Sequence, residues 1–181
     1  MPRSDARRNY ARILAVAEAE VAAHGAEASL EQIARTAGVG SATVRRHFPS
    51  RPALLEAVFR RQVDALAERA HALAEESDAR TALLDWLRAV TTYAATARGM
   101  ATALVRDDES MAHACSTTMT EAGEPLVRKA IEAGAVGADV TAADLIAVVT
   151  GIVLATEHHR DPAAEARRLL ELAVRGISPR P

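Results

Sequence analysis

The chain has 181 residues, 49% hydrophobic and only 3% aromatic, with a single cysteine, Cys115. That composition excludes wholesale disorder, argues against a β-sandwich or barrel, which would draw on aromatic and β-branched residues, and rules out an intrachain disulfide, as suits a reducing compartment. The net charge of −2 hides an asymmetry: residues 1–61 hold ten Arg and no Lys against six acidic residues, a net of +4, whereas residues 62–181 hold twelve basic and eighteen acidic residues, a net of −6.

A basic head on an acidic body points the head at a polyanion, although chance clustering would give the same numbers. The head opens MPRSDARRNYAR, without the apolar core of a signal peptide. The longest strongly apolar run, Leu145 to Ala155, is eleven residues, against about 20 for a bilayer span. A cytoplasmic protein with no membrane partner is therefore expected.

In chain order, a first helix is expected from about Asp5 to His24, with Tyr10, Ile13, Leu14, Ala17 and Val21 at helical spacing and Gly25 as its stop. Ser29 opens a second, where Ser29 and Gln32 have the spacing of a capping box. Leu30, Ile33, Ala34 and Ala37 form its apolar face, and Gly38 ends it. Val39 and Gly40 lead into a third, Ser41 to His47, closed by Phe48 and Pro49. Ser50 caps a fourth that runs to about Glu76, with Pro52 in its first turn. Further helices are expected at about Ala79–Arg98, Met100–Val105, Ser110–Ala133, Thr141–His159 and Pro162–Ile177, with Thr141 and Asp144 as a second capping box. No stretch reads as a strand, so the fold class is all-α. The loops Asp107–Glu109 and Gly134–Asp139 are expected to be the mobile ones.

The stretch SLEQIARTAGVGSATVRRHF, Ser29 to Phe48, carries the function. Two short helices joined by a glycine-containing turn make a helix-turn-helix. Ala34 is small enough for a close helix crossing, Gly38 permits a positive φ, and Val39 and Val44 fill the space between the helices. Ser41, Ala42, Arg45 and Arg46 are left on the outer side of the third helix, a small, polar and cationic surface suited to a major groove.

Extended to IARTAGVGSATVRRHFPSRPALLEAV, the sequence resembles the signature of TetR-family regulators, roughly "IA..AGVS.GTLYRHF.SKE.LL..V", over about residues 9–60. Ile33, Ala34, Ala37, Gly38, Val39, Thr43, Arg46, His47, Phe48, Ser50, Leu54 and Leu55 fall in register. WLRAVTTYAATARGMATAL and DPAAEARRLLELAVRGI resemble an actinobacterial-type subgroup of that family. The resemblance implies a three-helix DNA-binding domain, residues 1–53, and a helical ligand-binding and dimerisation domain, residues 54–181. It also implies a dimer that binds operator DNA and releases it when an unidentified small molecule enters the second domain.

Three departures stand out: Arg45 replaces the family's usual Tyr, Arg51 its Lys, and Ala42 its Gly. The resemblance implies that the Tyr and Lys positions touch phosphates. Arg51 keeps that charge in a bidentate fork, while Arg45 has the reach for guanine O6 and N7. The expected DNA-binding set is Ser29, Gly40, Ser41, Ala42, Thr43, Arg45, Arg46, His47 and Arg51. Within it Ser41, Ala42 and Arg45 face bases, Ser29, Thr43, Arg46, His47 and Arg51 hold phosphates, and Gly40 leaves the third helix's N-terminus bare. For His47 a local hydrogen-bonding or packing role is the alternative, and for Arg45 and Arg46 a solvated face. Arg3, Arg7 and Arg8 read either as an arm beside the duplex or as a frayed terminus.

In the second domain, Trp86, Val90 and Tyr93 share a face of the fifth helix, and Met111, Cys115 and Met119 one of the seventh. These six are the candidate ligand-binding residues, since together they offer an apolar cavity with a few polar handles; plain core packing explains the same stripes. Cys115 reads as a redox trigger or as a buried structural thiol. The helix DLIAVVTGIVLA is apolar almost all round and must be covered on more than one side. With the last helix it suggests a homodimer built on a four-helix bundle, the alternative being burial within one chain. A two-fold dimer spaces its recognition helices by about 34–36 Å and selects a palindromic operator. There is no HExxH, GxSxG, glycine-rich phosphate loop or cysteine pair, and His158 and His159 are adjacent and point apart. No enzyme, metal or cofactor is expected. A helical small-molecule binder that ignores DNA and a transcriptional activator are the competing readings.

Overall fold

The computed structural model describes residues 2–75, 78–96 and 109–177. Among them the regular structure is entirely helical: α1 Pro2–His24, a 3-10 turn Gly25–Glu27, α2 Leu30–Thr36, α3 Ser41–His47, α4 Arg51–Ala74, α5 Ala79–Thr96, α6 Glu109–Glu132, α7 Ala142–Ala155 and α8 Pro162–Ile177. The short helix expected at Met100–Val105 lies outside the described residues, as do residues 107 and 108 of the expected mobile loop. The chain forms two compact units, one running to Arg61 and the other starting at Gln62, so α4 contributes to both.

In the first unit the predicted stripes become the core, except that Tyr10 stays exposed and Leu30 half-buried. Ile13, Ile33, Val44 and Leu54, from four different helices, have no accessible surface, and Phe48 retains 2%. Full burial of each such side chain is worth roughly 1.5–3 kcal/mol. α2 stops where Gly38 takes φ +64°, a conformation that costs a residue with a Cβ. There Val39 N–H donates to the Ala34 carbonyl at 3.0 Å and Gly38 N–H to that of Arg35 at 3.2 Å. This Schellman pair reverses the chain into α3.

In the second unit α5 packs on α7 and α8, burying Leu83, Trp86, Leu87 and Val90 against a core that includes Leu145, Val149, Leu170 and Val174. Arg88 ties α5 to α8, its Nε donating to Glu171 Oε1 at 2.7 Å, and Lys129 donates to the Ala74 carbonyl. The ring of Trp86 is fully buried and its Nε1 donates to the Leu66 carbonyl at 3.1 Å. The same ring lies against Gly123 of α6, where an added Cβ would stand 2.4 Å from Cη2.

The helix ends show which local signals acted. Thr141 and Asp144 form the expected complete capping box at α7. At α2 only half of the expected box exists. Gln32 N–H donates to Ser29 Oγ at 3.2 Å, but the Gln32 side chain is occupied by Thr36 and Arg35. Ser29 N–H instead donates to Glu20 Oε1 of α1 at 3.4 Å, so a carboxylate from another helix takes the reciprocal place. α7 ends at Ala155, one turn before the expected His159. Thr156 bonds back to the Ile152 carbonyl at 2.9 Å, and the polar run that follows leads to Asp161, which caps α8 through Ala164 N–H at 3.0 Å.

Candidate nucleic-acid interface

α3 is positioned by one inward residue. Val44 is fully buried, which turns Ser41, Ala42, Arg45 and Arg46 outward, all four exposed, with Thr43 half-buried. By helical period Ala42 and Arg46 lie opposite Val44 and Arg45 flanks it; Ser41, one turn before Val44, is exposed as the first residue of α3. Gly40 occupies the N-cap with φ −66° and ψ 146° and provides no side chain to α3; its carbonyl accepts from Thr43 and Val44 at 2.8 and 3.2 Å. Arg51 is exposed in the first turn of α4, whose start is capped by Ser50 Oγ, accepting from Ala53 N–H at 3.3 Å.

The electrostatics of this surface depend on residues the sequence reading passed over. Arg45 Nη2 lies 3.4 Å from Glu31 Oε1, and Arg51 Nη1 3.3 Å from Glu27 Oε2. Glu31's own backbone N–H, and then the Arg45 guanidinium, hold its carboxyl below the usual carboxylate range. Arg46 is exposed and forms no ion pair among the described residues. Partners 14 and 24 residues apart leave no local signal, which is why these acids were missed.

His47 lies in an aromatic group. Its ring centroid is 5.8 Å from that of Tyr10 and 6.4 Å from that of Phe48, and Tyr10 stacks on Phe48 at 5.3 Å. His47 is half-buried, and its Nε2 has no hydrogen-bond partner among the described residues. Ser29 Oγ accepts the α2 cap bond from Gln32 N–H. The segment of Arg3, Arg7 and Arg8 belongs to α1, helical from Pro2. Arg7 and Arg8 are exposed and Arg8 is paired with Asp5; the side chain of Arg3 lies outside the described residues.

The candidate ligand residues are distributed unevenly. Trp86, Val90 and Met119 are buried, Tyr93 and Cys115 half-buried, and the side chain of Met111 lies outside the described residues. Cys115, Met119 and Gly123 are spaced four apart and share a face of α6, and Gly123 is the member that meets Trp86. In the same unit, a cleft of about 20 Å³ is lined by Leu83, Leu84, Leu87, Ala135, Val136, Leu145, Val174 and Arg80. That is room for little more than one water, and none of the six expected residues borders it.

α7 and α8 leave apolar surface uncovered: Val148 is 44% exposed, Leu154 58% and Leu172 53%. Gly151 is exposed too, and a Cβ there would meet nothing within 4 Å. Among the described residues no three His, Cys, Asp or Glu side chains are grouped to hold a metal ion, and no helix is long and apolar enough to cross a membrane.

Comparison with known proteins places this geometry. Residues 13–58 match the family described as bacterial regulatory proteins, tetR family, and residues 78–179 the C-terminal domain of transcriptional regulators like SbtR. A TetR transcriptional regulator of Streptomyces coelicolor has a similar crystal structure, with 34% identity, a TM-score of 0.73, and coverage of 95% of this chain and 99% of that one. So has a TetR transcription regulatory protein of Mycobacterium vanbaalenii, with 30% identity, a TM-score of 0.74, and coverage of 99% and 100%. The regulator FadR of Bacillus subtilis, solved in complex with stearoyl-CoA, shares the fold at 19% identity and a TM-score of 0.60, over 93% of this chain and 99% of that one. No curated protein matches the chain.

Proposed function

Because the chain belongs to the TetR family of bacterial transcriptional regulators, we propose that it is a repressor that grips a palindromic operator as a homodimer and lets go when a small molecule binds its second unit. The observation that carries the DNA half is the single buried Val44, which leaves Ser41, Ala42, Arg45 and Arg46 together on the open side of α3. Ser41, Ala42 and Arg45 read base edges; Arg45 prefers guanine, whose O6 and N7 match a guanidinium. Thr43, Arg46 and Arg51, with the N-terminal backbone after Gly40, hold phosphates and set the register.

The homodimer is supported by the exposed apolar residues of the last two helices. Val148, Gly151 and Leu154 recur every three residues on α7, and Gly151 offers a partner helix a place to approach closely. Two-fold pairing separates the recognition helices by about one turn of B-DNA, and a palindrome is the sequence that such a pair reads.

The effector half rests on Trp86, Val90, Tyr93, Cys115 and Met119, an apolar set with a phenol and a thiol among it. A molecule that enters between α5 and α6 must favour one arrangement of these helices to change DNA binding, since a ligand shifts a conformational equilibrium only by its differential affinity for the two states. The test is a mobility shift on the DNA flanking the gene, repeated with small molecules that raise the melting temperature. Retention of that DNA, and its loss on adding such a molecule, are expected. A molecule that binds tightly and leaves DNA affinity unchanged contradicts the switch.

A further inference from the structure

The surface assigned to DNA contains two carboxylates as well as its arginines. Glu31 stands against Arg45 and Glu27 against Arg51, with single contacts of 3.4 and 3.3 Å and side-chain exposures of 69, 64, 84 and 45% in that order. Exposed, single-contact pairs of this kind add little to folding stability. Arg46, one residue beyond Arg45, is left without such a partner among the described residues. Arg45, Arg46 and Arg51 therefore face DNA with two of their three charges already answered from within the chain.

We propose that Glu27 and Glu31 are internal anions that compete with DNA for Arg51 and Arg45 and so set the specificity of the head. The inference rests on the reading that this face of α3 meets DNA. On a random duplex the two arginines exchange a carboxylate for a phosphate, one anion for another, while each displaced carboxylate stays within reach of the phosphates that repel it. Little is gained, and Arg46 carries the encounter. An operator offers Arg45 more than a charge: a guanine edge that accepts two hydrogen bonds, which a lone carboxylate contact at 3.4 Å does not match. The carboxylates thus penalise all DNA, and only a cognate site recovers the loss. This is discrimination by a built-in repulsive element.

The experiment compares the full chain with the double variant Glu27→Gln/Glu31→Gln. A control, Glu121→Gln/Glu124→Gln, removes the same charge from exposed positions of α6 in the other unit. Each protein is titrated with two duplexes, one selected by the wild type from a random pool and one scrambled duplex of the same composition, across a range of salt. The double variant is expected to bind both more tightly, the selected duplex by about tenfold and the scrambled one by more, so that discrimination falls. Its salt dependence steepens by about two in slope per protomer bound, one for each cation unmasked. The control stays within about twofold of the wild type. Unchanged affinity in the double variant, with its circular dichroism spectrum intact, overturns the proposal. Weakened binding overturns it too, since the carboxylates would then be positioning the arginines. If the wild type itself binds neither duplex, the DNA-binding reading fails and the inference falls with it.

Discussion

Arg45 and Arg51 are six positions apart in the sequence but stand in different helices. One stands mid-helix on the open side of α3, and the other opens α4, where the chain turns away. Their truncations should therefore separate. Arg45→Ala is expected to change which base is preferred, at a cost of about 1–3 kcal/mol on the preferred site. Arg51→Ala should weaken binding to every sequence alike and flatten the salt slope by about one per protomer. Selection and salt titration on the two variants check this; identical behaviour of both would remove the distinction between base and phosphate contacts. At this scale the sequence was legible where a residue's role depends on its own helix. Val44 inward implies Arg45 and Arg46 outward, and that follows from period alone. It was silent where the partner is remote. Glu27, Glu31 and Tyr10 reach the interface through turns whose geometry no local spacing encodes, and His47 joins Tyr10 and Phe48 for the same reason.

Helices were the most readable elements, because apolar period, caps and glycine stops all pointed to the same boundaries. α3 and α8 begin and end where the pattern places them, and α7 carries its full capping box. The misreadings are tertiary in origin. The Ser29 box is completed by Glu20 of α1 rather than by Gln32, and the apolar period of α7 runs into a polar turn that Asp161 claims for the next helix. Trp86, one of the residues expected to border a ligand, lies against Gly123 and donates its N–H to the Leu66 carbonyl. That contact makes a prediction about α5 and α6. Alanine is intrinsically better than glycine in a helix by about 1 kcal/mol, yet a Cβ at residue 123 would stand 2.4 Å from a ring that cannot retreat. Overpacking of this kind costs about 1–3 kcal/mol, so Gly123→Ala is expected to lower the urea midpoint. A higher midpoint would mean that the Trp86 ring is free to move, and that the core between these helices is looser than its contacts indicate.

At the scale of the whole molecule, the residues least explained by one chain are Val148 and Leu154, large apolar side chains left in water on the helix of an open Gly151, and Leu172 of α8. Val148 and Leu154 were legible in the sequence as part of a helix apolar on every side, but a partner supplied by a second copy leaves no trace beyond that excess. Gly151→Arg places a charged side chain on this face without touching the chain's own core. It is expected to yield a folded monomer by sedimentation and to abolish binding to paired half-sites while sparing weak attraction to DNA in general. A dimeric Gly151→Arg protein would move the interface elsewhere.

The most direct measurement of the central claim is selection of duplexes from a random pool by the purified wild-type chain at moderate salt. The account predicts an enriched inverted repeat, its half-sites centred about one helical turn apart and each containing a guanine whose preference disappears with Arg45→Ala. A pool that emerges without any preference, from a protein that sediments as a monomer, would contradict it.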